Sequence, residues 1–220
     1  MPGRAALIFL LVGLTLLACS GPPESRVALS EPGETPYDER LVGIWYAIDK
    51  KTDTIYLHIS PRKETAYLDV VGIFAGFGES DPVRWIRATA HASKIDGRIY
   101  YNVQRVAGAG FDYTALGESP GFIVVRADVT GQDALSLNFM SWPDGDNLIS
   151  DYPLRDFLKK GRVIGREVEG KYKDEKVPYL MLDLSRPELV DLIREVTPER
   201  LFKEVIRFRR LKPEAEKAKP

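Results

Sequence analysis

The chain is poor in the residues that would make its function easy to name. It has one cysteine, Cys19, so no disulfide can form within it. It has two histidines, His58 and His91, too few for a metal site without carboxylates at ligand spacing, and no such spacing is present. The phosphate-cradling glycine-rich loop, the G-x-S-x-G nucleophile elbow and the H-E-x-x-H zinc motif are all missing. Asp144-Gly145-Asp146-Asn147 lacks the later ligands of a calcium loop and is read as a turn. No charge of one sign prevails: 31 basic side chains face 32 acidic ones, which excludes the basic footprint of a nucleic-acid binder. Nothing points to an enzyme or to a cofactor. Long apolar runs are also absent, apart from a single stretch from Ala5 to Ala18. It is shorter than the about 20 residues a membrane-spanning helix needs.

That stretch follows Met1-Pro2-Gly3-Arg4 and ends on Leu16-Leu17-Ala18-Cys19. A basic start, a short apolar core and a small residue before the cut are the parts of a secretory signal. The closing four residues resemble the lipobox of bacterial lipoproteins. The resemblance implies cleavage after Ala18, a thioether-linked diacylglycerol on Cys19, and a further acyl chain on the new amino terminus. Two or three chains hold a protein firmly to a membrane, at about 0.8 kcal/mol per buried methylene, where one would not. Ser20 follows the cysteine, where aspartate would signal retention in the inner membrane. The expected location is the outer membrane, lipid-anchored and facing the periplasm.

The expected organisation is a signal peptide over 1–18, a lipidated start and proline-rich tether over 19–36, one domain over 37–211 and a frayed polar tail over 212–220. The tether, with four prolines between Ser20 and Pro36, is polar and reads as a flexible spacer. Without Arg4 the mature chain keeps 30 basic and 32 acidic side chains.

Within the domain, strand signals dominate: Leu41–Asp49, Thr54–Ser60, Ala66–Phe74, Pro82–Ala92, Arg98–Val106, Gly121–Val129 and Ala134–Ser141. Ile55, Leu57 and Ile59 alternate with Tyr56 and His58, and Leu135, Leu137 and Phe139 with Ser136 and Asn138. Period-two alternation means one buried face and one wet face. Asp96-Gly97 and Thr130-Gly131-Gln132-Asp133 supply hairpin turns. Many strands joined by short turns predict a mainly β fold, an antiparallel barrel with short C-terminal helices. The last third predicts a helix over Pro153–Lys160, a strand over Pro178–Leu184, and a helix capped by Ser185 with Glu188 at its third position. A short helix from Thr197-Pro198 through Phe202 and a final strand over Val205–Leu211 follow. In that strand Ile206 and Phe208 share a face with Arg210.

Gly43-Ile44-Trp45, in the first strand of the domain, resembles the G-x-W of lipocalins and the wider calycin group. The resemblance implies a barrel whose tryptophan packs at the closed end under an arginine from a late strand. Trp45 then has a structural role, with Arg210, or Arg209 if the register slips, as its partner.

Candidate ligand contacts come from two strands. Trp85, Arg87 and His91 share one face of the fourth, and Tyr101 and Arg105 one face of the fifth. Aromatics mixed with arginines suit a cavity with apolar walls and a few polar anchors. The same pattern also suits the wet outside of a barrel. The expected function is non-enzymatic binding of a lipid or other small amphipathic ligand. The alternative is a structural or assembly accessory that docks an envelope protein. Expected partners are the membrane, through the anchor, and either that ligand or that protein.

Cys19→Ala should abolish anchoring. Palmitate labelling of cells expressing the variant should show no labelled product; continued labelling would refute the lipobox reading.

Overall fold

The computed structural model describes residues 23–49, 53–75, 84–108, 121–140, 165–172, 175–196 and 198–212. Cys19, expected to carry the lipid anchor, and the segment expected as a helix over Pro153–Lys160 lie outside them.

Eleven strands form the sheet: β1 (Glu24–Ser25), β2 (Gly43–Asp49), β3 (Asp53–Pro61), β4 (Leu68–Ala75), β5 (Arg84–Ile95), β6 (Arg98–Gly108), β7 (Phe122–Thr130), β8 (Ala134–Met140), β9 (Gly165–Tyr172), β10 (Glu175–Leu182) and β11 (Phe202–Arg210). Strands β2 to β8 pair antiparallel in sequence order, and β11 closes the ring between β8 and β2. The result is a closed antiparallel barrel of eight strands, calycin-like, with two short helices near its C-terminal end, α1 (Arg186–Glu195) and α2 (Pro198–Leu201). Strand alternation explains it: Trp45, Ile55, Leu57, Ile59, Leu135, Ile206 and Phe208 are buried together in one core.

The ring closes through a short seam. Only Arg209↔Tyr46 and Arg210↔Trp45 pair β11 with β2, helped by the Leu211 amide donating to the Ile44 carbonyl at 2.8 Å. Arg210, not Arg209, lies over Trp45, its guanidinium carbon 4.1 Å from the ring centroid. Its Nη1 donates to the Val42 carbonyl and its Nε to the Gln132 carbonyl, each at 2.8 Å, and its Nη2 donates to the Arg40 carbonyl. One side chain thus ties the single 3₁₀ turn before β2 (Glu39–Leu41), the β7–β8 hairpin and the last strand. Trp45 is fully buried, and its Nε1 donates to the Leu41 carbonyl at 2.8 Å. Gly43 is required here. Its φ is +141°, and a Cβ would stand 2.5 Å from Nη1 of Arg210.

A second core lies outside the ring. Ile95, Tyr100, Val124, Met140 and Phe202 meet Leu189, Leu192 and Ile193 of α1, Val196 just beyond it, and Leu201 of α2. The Ser185 backbone N–H and hydroxyl both donate to the Glu188 carboxylate, fixing the start of α1.

One expectation changes. The stretch read as a tether is part of the fold from Pro23 onward. Glu24, Ser25, Ala28, Leu29 and Ser30 are buried, and β1 pairs antiparallel with β7 and parallel with β10. Polarity misled, because these polar groups have partners. The Leu29 amide donates to Asn102 Oδ1 at 2.8 Å, and Ser30 and Ser93 share a hydrogen bond of 2.6 Å. Strand β9 had no signal, since GREVEGKY offers no alternation; β10, pairing along its whole length, supplies its order.

Trp45→Ala should cost about 3–5 kcal/mol, the range for a large aromatic removed from a core. Urea unfolding measures this, and a loss below about 1 kcal/mol would place Trp45 outside any packed core.

Candidate functional site

Inside the ring, successive strands turn alternate side chains inward. From β3 to β8 these are almost all aliphatic or aromatic: Leu57, Ile59, Leu68, Val70, Ile86, Val103, Ile123, Val125, Leu137 and Phe139. Ala88 and Ala90 face them from β5, and their small size leaves a cavity of about 90 Å³. Among its described lining residues only Arg105 is charged.

Arg105 sits toward the end of the barrel opposite Trp45. There Glu24 of β1 meets it, Oε1 against Nη2. Their side chains are 1 % and 10 % exposed, so the pair is withdrawn from water. Glu24 Oε2 also accepts from the Gly121 amide at 3.0 Å. Gly121 makes this approach possible: a Cβ there would stand 2.9 Å from both the Glu24 Cβ and the Ser25 carbonyl oxygen. Register explains why Glu24 enters the lumen. It stands opposite Ile123, an inward residue, where β1 takes over pairing with β7 beyond the reach of β8. A buried ion pair contributes little net stability against apolar replacement, while losing one partner is costly.

The candidate residues divide between the two sides of the wall. Tyr101 and Arg105 line the interior. Trp85, Arg87 and His91 do not. They occupy the outer face of β5, because Ala88 pairs with Arg105 and Ala92 with Tyr101, putting the alanines inward. Trp85 is exposed, and Arg87 lies 3.6 Å from Asp69. His91 is buried beneath the N-terminal segment, its Nε2 3.0 Å from the Ser30 carbonyl oxygen. Desolvation holds its pKa below the ordinary histidine value, which the Ser30 contact and the Glu31 charge partly oppose. Cys19 lies outside the described residues. Glu24 was missed because it sits in a stretch read as tether. Its signal was weak: one acid before Ser25, with Val27, Ala28 and Leu29 close behind.

A larger hollow, about 430 Å³, opens near the tryptophan end between Arg40, Arg98, Arg126 and Glu199. Its cations have acidic neighbours: Arg40 with Asp38 at 2.6 Å, Arg98 with Glu199 at 3.0 Å and Arg126 with Asp128 at 2.9 Å. It is a basin of mutually compensated surface charges, which leaves the apolar interior as the stronger candidate. Tyr101 separates the two. Its ring lines the interior, its hydroxyl accepts from the Asp38 amide at 3.1 Å, and burial pushes its pKa up to about 12.

Compared with known proteins, the chain matches no family model, no curated protein and no solved structure.

Arg105→Met should destabilise the domain by about 3–5 kcal/mol, because it leaves the Glu24 carboxylate buried without its cation. Glu24→Leu combined with Arg105→Met should recover most of that loss. A double-mutant cycle by urea unfolding checks this, and simple additivity would show that the two do not act as a pair.

Proposed function

We propose that this chain is a non-enzymatic envelope lipoprotein, anchored through Cys19 to the periplasmic face of the outer membrane. In this reading its lipocalin-like barrel holds the apolar end of an amphipathic molecule. One observation carries the binding role: an almost wholly apolar lumen in which, among the described lining residues, Arg105 is the one cation, buried toward one end. Aliphatic walls reward the transfer of an alkyl group from water, by about 25 cal/mol per Å² buried. Arg105 and its carboxylate partner give a polar head something to orient against. The anchor is supported by Leu16-Leu17-Ala18-Cys19 after the apolar run.

The size of the cavity favours a second reading. At about 90 Å³ it falls below the ~300–1,000 Å³ of pockets that enclose drug-sized ligands. It admits the end of a chain, not a whole lipid. A lumen filled to this degree also suits a rigid accessory that docks an envelope protein on its exterior.

Native mass spectrometry of the full protein purified from cells separates the two. Binding predicts a non-covalent adduct that denaturing spectra lose, while the covalent lipid on Cys19 persists in both. Ala90→Leu, which fills the lumen, should remove that adduct and keep cooperative unfolding. An adduct-free native protein would favour the accessory reading.

A further inference from the structure

The outer wall of the barrel changes character along its length. Toward the tryptophan end, the outward row across β3, β4 and β5 is Ser60, Asp69 and Thr89, with Arg62 bound to Asp69 at 2.7 Å. Two rows further on, register aligns Tyr46 of β2, Tyr56 of β3, Ile73 of β4 and Trp85 of β5 side by side. Tyr56, Ile73 and Trp85 are exposed there. Ile48, 63 % exposed, and Val106, 54 % exposed, extend the band away from the tryptophan end. Such a band is costly to leave in water, and tyrosine and tryptophan are the side chains favoured at a membrane–water interface.

The second observation is the length of chain between the anchor and the fold. Five Cα-to-Cα steps, across four intervening residues, separate Cys19 from Glu24, which is locked to Arg105 and Gly121. At ~3.3–3.6 Å per residue they span at most about 18 Å. β1 joins β7 at Phe122 and Ile123, in the half of β7 that lies toward the end with the exposed band. β7 stands across the ring from β3, so the anchor and the band occupy opposite sides of one rim. A side-on pose would bring only one of them to a bilayer, and an end-on pose brings both.

We propose that the barrel stands end-on against a lipid surface, with the end remote from Trp45 toward the bilayer and Tyr56, Ile73 and Trp85 at headgroup depth. This rests on the Cys19 anchor proposed above. It gives an amphiphile a direct path between bilayer and lumen, its head passing the rim near Arg105.

The test uses the full lipidated protein in vesicles of phosphatidylethanolamine and phosphatidylglycerol. The thioether consumes the Cys19 thiol, so Ile73→Cys and Lys94→Cys each offer one site for a nitroxide; both positions are exposed. At position 73 the label should respond more to lipid-soluble oxygen than to a water-soluble nickel chelate. At position 94, near the tryptophan end, that preference should reverse. Palmitate labelling is followed in the same preparations. A labelled protein with position 73 as water-accessible as position 94 would overturn the end-on pose and leave the anchor intact. An unlabelled protein would overturn the anchor and the pose with it.

Discussion

The barrel depends on a short seam. Every other pair of neighbours in the ring shares a ladder of several residues, but β11 meets β2 over only two. Hydrogen bonds over so short a stretch do not hold a ring closed. Arg210 makes up the difference by stacking on a fully buried Trp45 and donating to three carbonyls, two at the 3₁₀ turn and one in the β7–β8 hairpin. Because the guanidinium is planar and carries five donors, it satisfies several carbonyls and covers an aromatic face together, which lysine could not do. The glycine at position 43 follows from that geometry.

The N-terminal segment is the second brace. It crosses the outside of β5 and β6, where Asn102, Ser93 and His91 meet its backbone and Ser30, and it sends Glu24 through the wall to Arg105. Asn102, Ser93 and Ser30 are buried and hydrogen-bonded to one another or to the segment's backbone, which makes the path specific. With Cys19 as the anchor proposed above, anchor and lumen would be coupled, since the segment that reaches the lumen continues back to Cys19. A flexible tether would have left the orientation of the barrel to chance. A docked segment restricts it.

Much of this was legible from alternation alone. Residues such as Ile55, Leu57, Ile59, Leu135 and Leu137 announced strands and their buried face, and Ser185 with Glu188 announced a helix start. The candidate site was legible only in part. On β5 the aromatic and charged side chains drew attention to Trp85, Arg87 and His91, while the face that lines the lumen is built from Ile86, Ala88 and Ala90. Alternation defines two faces and does not say which is inside when one carries alanines and the other carries a tryptophan. The small inward residues leave the space of the cavity, with the bulkier side chains supplied by the opposite wall.

The amino-acid sequence by itself determined the local periods: strand positions, hairpin turns, the capped helix, and the tryptophan and late arginine available to meet. Those follow from backbone preferences and side-chain polarity within a few residues. The tertiary structure decided everything that depends on register between distant segments. It chose Arg210 over Arg209, turned Glu24 inward, and aligned Tyr46, Tyr56, Ile73 and Trp85 in one row. The physical reason is that a one-residue slip in register moves every side chain to the other face. Only the closed ring, with both its cores filled, selects one register over its neighbour.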